Sequence, residues 1–214
     1  MLAIALCVLS VGFILTCPGN KVRFGKEIKR WFPEYGGLTV FGKIELGMLT
    51  IGSYYFSLRE ANCVIIPLCL ALTAVFYKRN KKAFTLQLAL DAFIVACPIF
   101  DRLTDNFLFS NIQLVQFSPH SFGAVFAECA TFALLSALFL RQTYTAMGDK
   151  TDGLTNCFLL CAGFCSAFII AFSPTVYASG SRCYVFMSCT VFLVAFRIFY
   201  KKCRLGMEAA ANAA

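Results

Sequence analysis

The chain has 214 residues, 59% of them hydrophobic and only 14% charged, with 24 Phe and a formal net charge of +8. A soluble domain is nearer about a quarter charged, so this composition excludes a conventional soluble globule. The apolar residues fall in long unbroken runs, as in membrane proteins, and no nucleic-acid-binding motif accompanies the positive charge; that charge therefore bears on topology and anionic headgroups.

Six apolar runs, 1–17, 58–77, 83–100, 121–140, 153–173 and 183–200, predict six transmembrane helices. Each spans roughly 17–21 residues, enough at about 1.5 Å per residue to cross about 30 Å of hydrocarbon. Backbone groups in lipid must be satisfied internally, so the expected fold class is all-α. It is a polytopic membrane bundle, with 1–204 as one domain and the low-complexity 205–214 as a disordered tail. The first run has no basic lead and no small-residue cleavage site, which argues against a cleaved signal peptide. Thr16-Cys17 is a poor lipoprotein box. A chain that starts directly inside an apolar run reads as the carboxy-terminal part of a longer polytopic protein, partnered by a missing amino-terminal membrane half.

A basic loop follows the first run. Between Pro18 and Lys43 lie six of the 19 Lys/Arg residues: Lys21, Arg23, Lys26, Lys29, Arg30 and Lys43. The apolar stretch 44–58 after it has only 15 residues and places Thr50, Ser53, Ser57 and Glu60 at helical spacing. Such a segment suits the membrane interface, or extends the next helix beyond the membrane. Were it to span instead, the basic loop would return to the cytoplasm.

Ionisable residues inside the apolar runs come next. Asp91 and Glu128 each sit about 7–8 residues from a helix end, where a charge costs roughly 2.5–3.5 kcal/mol. The two helices are sequential and antiparallel, so the acids could share a proton and form a proton or ion path. Alternatively they hydrogen-bond to Gln87, Ser or backbone as packing groups. Asp101 and Asp105, four apart beyond the third run, lie on one face if helical. They could hold a divalent ion or act as acid and base toward a sugar acceptor, or simply pair with Arg102 and cap helix ends. His120 alone carries little information.

Twelve cysteines lie almost entirely within apolar runs, where Cys acts as a small hydrophobe. Cys157, Cys161 and Cys165 share one helix face and are expected to serve helix packing; no His or carboxylate joins them as a metal site. The external turn Ser173-Pro174-Thr175-Val176-Tyr177-Ala178-Ser179-Gly180-Ser181-Arg182 has small residues that permit close backbone approach to a ligand.

Orientation follows from the later connections. Segments 78–82, 141–150 and 201–204 carry nine basic residues together, whereas 101–120 and 174–182 carry one each, Arg102 and Arg182. The positive-inside bias makes the first set cytoplasmic. With six spans both termini are then cytoplasmic in the cell membrane, and loop 18–57 is external. A translocated basic loop calls for an anionic ligand. Arg23 and Arg182, each expected just after a turn at a helix end, suit a lipid phosphate through bidentate hydrogen bonds.

The segments Pro18-Gly19-Asn20-x-x-Arg23, Trp31-Phe32-Pro33 and Ser173–Arg182 resemble the second half of a bacterial family of polytopic membrane proteins. That family is similar in layout to the GT-C glycosyltransferases. The resemblance implies transfer of a sugar from a polyprenyl-phosphate donor at the outer face, with Asn20, Arg23 and Arg182 on the lipid phosphate. It also implies a catalytic carboxylate in the first external loop, where this chain offers only Glu27 and Glu34. The motifs leave any cofactor unknown.

Overall fold

The computed structural model describes residues 18–56, 64–77, 80–104, 122–175 and 184–211. Among them the chain is all-helical, without a strand. The helices are α1 (Pro18–Trp31), α2 (Val40–Phe56), α3 (Ile65–Phe76), α4 (Lys81–Thr104), α5 (Phe122–Met147), α6 (Lys150–Phe168) and α7 (Val185–Ala211). The first apolar run, 1–17, lies outside the described residues.

The segment expected as a basic loop is helical. Pro18 occupies the first position of α1, where its missing N–H would have no partner anyway. Lys29 and Arg30 fall in the last turn, where cations favour the helix dipole. The helix stops because Pro33 forces Phe32 out of the α region, to φ −154° and ψ 77°. Arg23 therefore sits within a helix, not after a turn. The Lys, Arg and Glu residues of α1 favour a helix as well as they mark a basic segment.

A 3-10 turn, Pro33–Gly37, then buries Phe32 and Tyr35, whose rings meet edge to face at 5.7 Å. The Tyr35 hydroxyl donates to the Ala171 carbonyl at 3.0 Å, which ties this turn to the far end of α6. Thr39 caps α2 by accepting from Gly42 N–H at 3.2 Å.

The structure places α2 in the bundle, where an interfacial segment over 44–58 was expected. Glu45, Leu46, Gly47 and Ile51 are buried, and the helix packs on α5, α6 and the turn Ile169–Phe172. Gly47 explains the placement: a Cβ there would stand 2.8 Å from the Phe168 ring and 2.9 Å from the Ala171 Cβ. Contact this close depends on tertiary packing, which a polar stripe read along one helix does not report.

Helix ends follow local chemistry. Asn80 caps α4 by accepting from Ala83 N–H at 3.1 Å. Between α5 and α6 the chain reverses over Gly148, at φ 70°, and Asp149, whose carboxylate accepts from Asp152 N–H at 3.1 Å. α5 thus absorbs most of the expected connection 141–150. α7 likewise continues to Ala211, over part of the expected disordered tail, because Met-Glu-Ala-Ala-Ala is strongly helix-forming.

α7 packs most extensively on α6 and α3, while α5 packs mainly on α6. The packing row of α6 is Gly153, Asn156, Leu160, Gly163 and Ala167, all buried at alternating three- and four-residue spacing. The expected cysteine row lies beside it: Cys157 is half-buried, donating to the Leu140 carbonyl at 3.4 Å, and Cys161 and Cys165 are exposed. Glycine beats cysteine here because only a missing side chain allows the approach. At Gly163 a Cβ would meet Thr190 Oγ1 at 2.1 Å.

The core is apolar but takes in several polar side chains, and much of the exterior is apolar too. Gln87, Gln142, Thr143 and Asn156 are wholly or almost wholly buried, whereas Phe126, Leu134, Phe158, Phe186, Phe192 and Phe196 are exposed. Exposed apolar surface on this scale marks contact with lipid or another protein. Among the described residues one helical stretch, Lys150–Phe172, is long and apolar enough to cross a membrane, by length and composition.

Candidate functional site

Asp91 lies in the middle of α4 and is half-buried against α3. Thr73 of α3 donates to its Oδ2 at 2.6 Å, and Gln87, one turn earlier on α4, donates from Nε2 to Oδ1 at 2.7 Å. Cys69, buried one turn before Thr73, lies on the same face of α3, because residues 69 and 73 are four apart.

The partners are chemically reversible. A threonine hydroxyl donates or accepts, and a glutamine amide presents either N–H or C=O. Gln87 is fully buried, and its Oε1 makes no hydrogen bond among the described residues. Both partners can therefore donate to the Asp91 carboxyl or accept from it without displacement of a helix. Asn156, fully buried on α6, has neither amide atom hydrogen-bonded among the described residues, and the same holds for the Thr143 hydroxyl on α5. The bundle interior thus contains further polar atoms beyond the Asp91 cluster.

A second cluster marks one end of the bundle. Asp152, in the first turn of α6, pairs with Lys201 at 2.8 Å and Arg197 at 3.4 Å, both from α7. Lys202 donates to the Ala74 carbonyl near the end of α3. Gln142, late in α5, donates to the Ala83 carbonyl at the start of α4, at 2.8 Å. These bonds gather the end of α3, the start of α4, the end of α5, the start of α6 and the later half of α7 at one end. Lys81, Lys82, Arg141 and Lys150 belong to the same end. Tyr35, bonded to Ala171, marks the opposite one.

The other residues expected from the sequence distribute as follows. Asp101 falls in the last turn of α4, a helix of 24 residues whose start is at the basic end; Asp105 lies outside the described residues. Asn20 and Arg23 belong to the first two turns of α1, and Glu128 to the second turn of α5. Arg182 and His120 lie outside the described residues. Among the described residues no three His, Cys, Asp or Glu side chains are grouped as a metal-binding set.

Sequence reasoning singled out Asp91 and its Gln87 partner but missed Thr73 and the burial of Glu45. It also missed the Asp152–Arg197–Lys201 cluster. A carboxylate among apolar residues announces itself, and i–4 spacing names a partner on its own helix. Partners on other helices carry no such mark. No protein-family model, curated protein or solved structure matches the chain.

Proposed function

We propose that the chain is a polytopic membrane protein of about six spans in which Asp91 takes up and releases a proton during transport. The observation that carries this is the Asp91 site itself: an ionisable group inside a bundle with an apolar exterior, held by two neutral partners of reversible hydrogen-bond polarity. Intramembrane acids are expensive to retain and mark proton or ion paths by default. The exposed aromatic exterior supports the membrane assignment, and the glycine-mediated approach of α6 and α7 is the usual way membrane helices pack. The basic end, which α7 reaches at Arg197 and Lys201, supports a cytoplasmic carboxy terminus under the positive-inside bias.

The test is proton flux into liposomes that contain the purified protein and a trapped pH dye. Asp91→Asn keeps both hydrogen-bond partners but cannot ionise, so the expected result is a loss of flux of at least about tenfold, as for removal of an essential proton-transfer group. Equal flux in wild type and variant, or none above protein-free liposomes, overturns the proposal.

A second reading keeps a polyprenyl-phosphate-dependent, GT-C-like transferase, with Asp101 and Asp105 as acids and Asn20, Arg23 and Arg182 on the lipid phosphate. It is favoured by one contact. The Tyr35–Ala171 bond holds the turn after α1 beside the segment that leads toward Arg182. It requires α1 to face the outside of the cell.

A further inference from the structure

Between α3 and α7 runs an open groove of about 540 Å³. That volume lies within the range of small-molecule sites, about 300–1,000 Å³. Its floor is small: Ala71 and Ala195 are buried. Its walls are large and exposed, with Leu70 on α3 and Phe192, Phe196 and Phe199 on α7. Almost nothing polar lines it, so an apolar chain is the only occupant its walls favour.

What distinguishes this groove from the rest of the apolar exterior is its end. Ala74 lines it, and the Ala74 carbonyl is the acceptor for the Lys202 ammonium. Lys202 is exposed, and an ammonium has two further donors to offer. Tyr200, stacked on Phe196 at 6.3 Å and exposed, stands one turn from the groove, as aromatic residues do at headgroup level. An apolar slot that opens onto a cation at the basic end matches one chemistry: an acyl chain joined to an anionic headgroup.

We propose that the α3–α7 groove binds an anionic glycerophospholipid, with one acyl chain along Phe192–Phe199 and the headgroup phosphate on Lys202. Basic sites between membrane helices on the cytoplasmic side are suited to such lipids. The proposal rests on the membrane assignment above and is independent of proton transport. It is also distinct from the lipid-phosphate site considered at α1, which belongs to the opposite end.

The experiment uses the full chain in phosphatidylcholine nanodiscs doped with phosphatidylglycerol that carries a photoreactive diazirine on one acyl chain. Adducts are mapped by peptide mass spectrometry. Labelling is expected to concentrate on α3 and on residues 192–199, and to be competed by unlabelled phosphatidylglycerol but not by phosphatidylcholine. Lys202→Gln should lower groove labelling about fivefold, the contribution of one lysine at an anionic surface. Leu70→Trp, at a wall residue 65% exposed and so tolerant of bulk, should lower it by obstruction. Adducts spread evenly over the exposed aromatic faces, equal competition by both lipids, or protein–protein cross-links through the groove would each overturn the proposal. A protein that enters nanodiscs and shows any of these retains its membrane assignment; one that fails to enter loses both.

Discussion

Tyr35 shows how one side chain can fasten a segment. It is buried, its hydroxyl holds the Ala171 carbonyl at 3.0 Å, and the Lys43 ammonium lies 4.7 Å from its ring centroid. Tyr35→Phe removes one buried hydrogen bond and leaves the carbonyl unpaired, so unfolding in detergent should become easier by about 1 kcal/mol. Burial also pushes the phenol up from 10.0 to about 12. Because the folded state keeps a proton that the unfolded chain has lost, this contribution is complete below about pH 10 and disappears as pH rises through about 12. Stability measured across that window should fall more steeply in wild type than in Tyr35→Phe; parallel curves would exclude this role. Nothing in the sequence set Tyr35 apart from the other tyrosines, whereas Asp91 was legible because charge is rare in its surroundings. Its local partner Gln87 was legible too. Thr73, eighteen residues away, became a partner only when α3 and α4 packed.

At the scale of elements, hydrophobic runs located helices well and their ends poorly. α5 and α7 continue past their apolar runs because Arg, Gln, Lys, Met and Ala extend a helix about as readily as Leu does. α1 is helical despite its polar composition, because Lys, Arg and Glu favour a helix and Pro18 starts one. The α5–α6 reversal, by contrast, is written in the adjacent Gly148 and Asp149. Contact faces were less legible. On α6 the repeating cysteines attract the eye, yet the residues that pack are the glycines and Asn156. Gly163 gives the test. Its added methyl group would overlap Thr190 Oγ1, which is itself engaged with the Met187 carbonyl at 2.7 Å. Gly163→Ala should therefore destabilise by about 1–3 kcal/mol through overpacking. Adding Thr190→Ala removes the first clash and should recover part of the loss, read as a non-additive double-mutant cycle in thermal unfolding. Strict additivity would mean that α6 and α7 do not meet as described.

For the molecule as a whole, the most informative quantity is where the charge lies. The sequence expectation grouped segments 78–82, 141–150 and 201–204 on one side because all are basic, and placed loop 18–57 with the other set. The hydrogen bonds at Asp152, Ala74 and Ala83 gather the described residues of the first group independently of any charge rule. The Tyr35–Ala171 bond ties the α1 turn to the other end. If the bundle lies in a membrane with its basic end inside, α1 is a cationic helix on the outer surface, with the Arg30 guanidinium 5.0 Å from the centroid of the half-exposed Trp31 ring. Such a helix is suited to the headgroup layer. The consequence can be measured with two thiols on opposite ends. Cys203 is native and exposed beside Lys201 and Lys202, and Lys26→Cys places a second thiol at an exposed position of α1. A membrane-impermeant maleimide added to intact cells, read peptide by peptide, should label position 26 and leave Cys203 untouched until the membrane is permeabilised. Labelling of both from one side would mean that the ends of the bundle do not face opposite compartments. Label at position 26 only after permeabilisation would put α1 in the cytoplasm, removing the lipid-phosphate site at Arg23 while leaving the Asp91 proposal intact. The orientation thus separates the two functional readings before either activity is assayed.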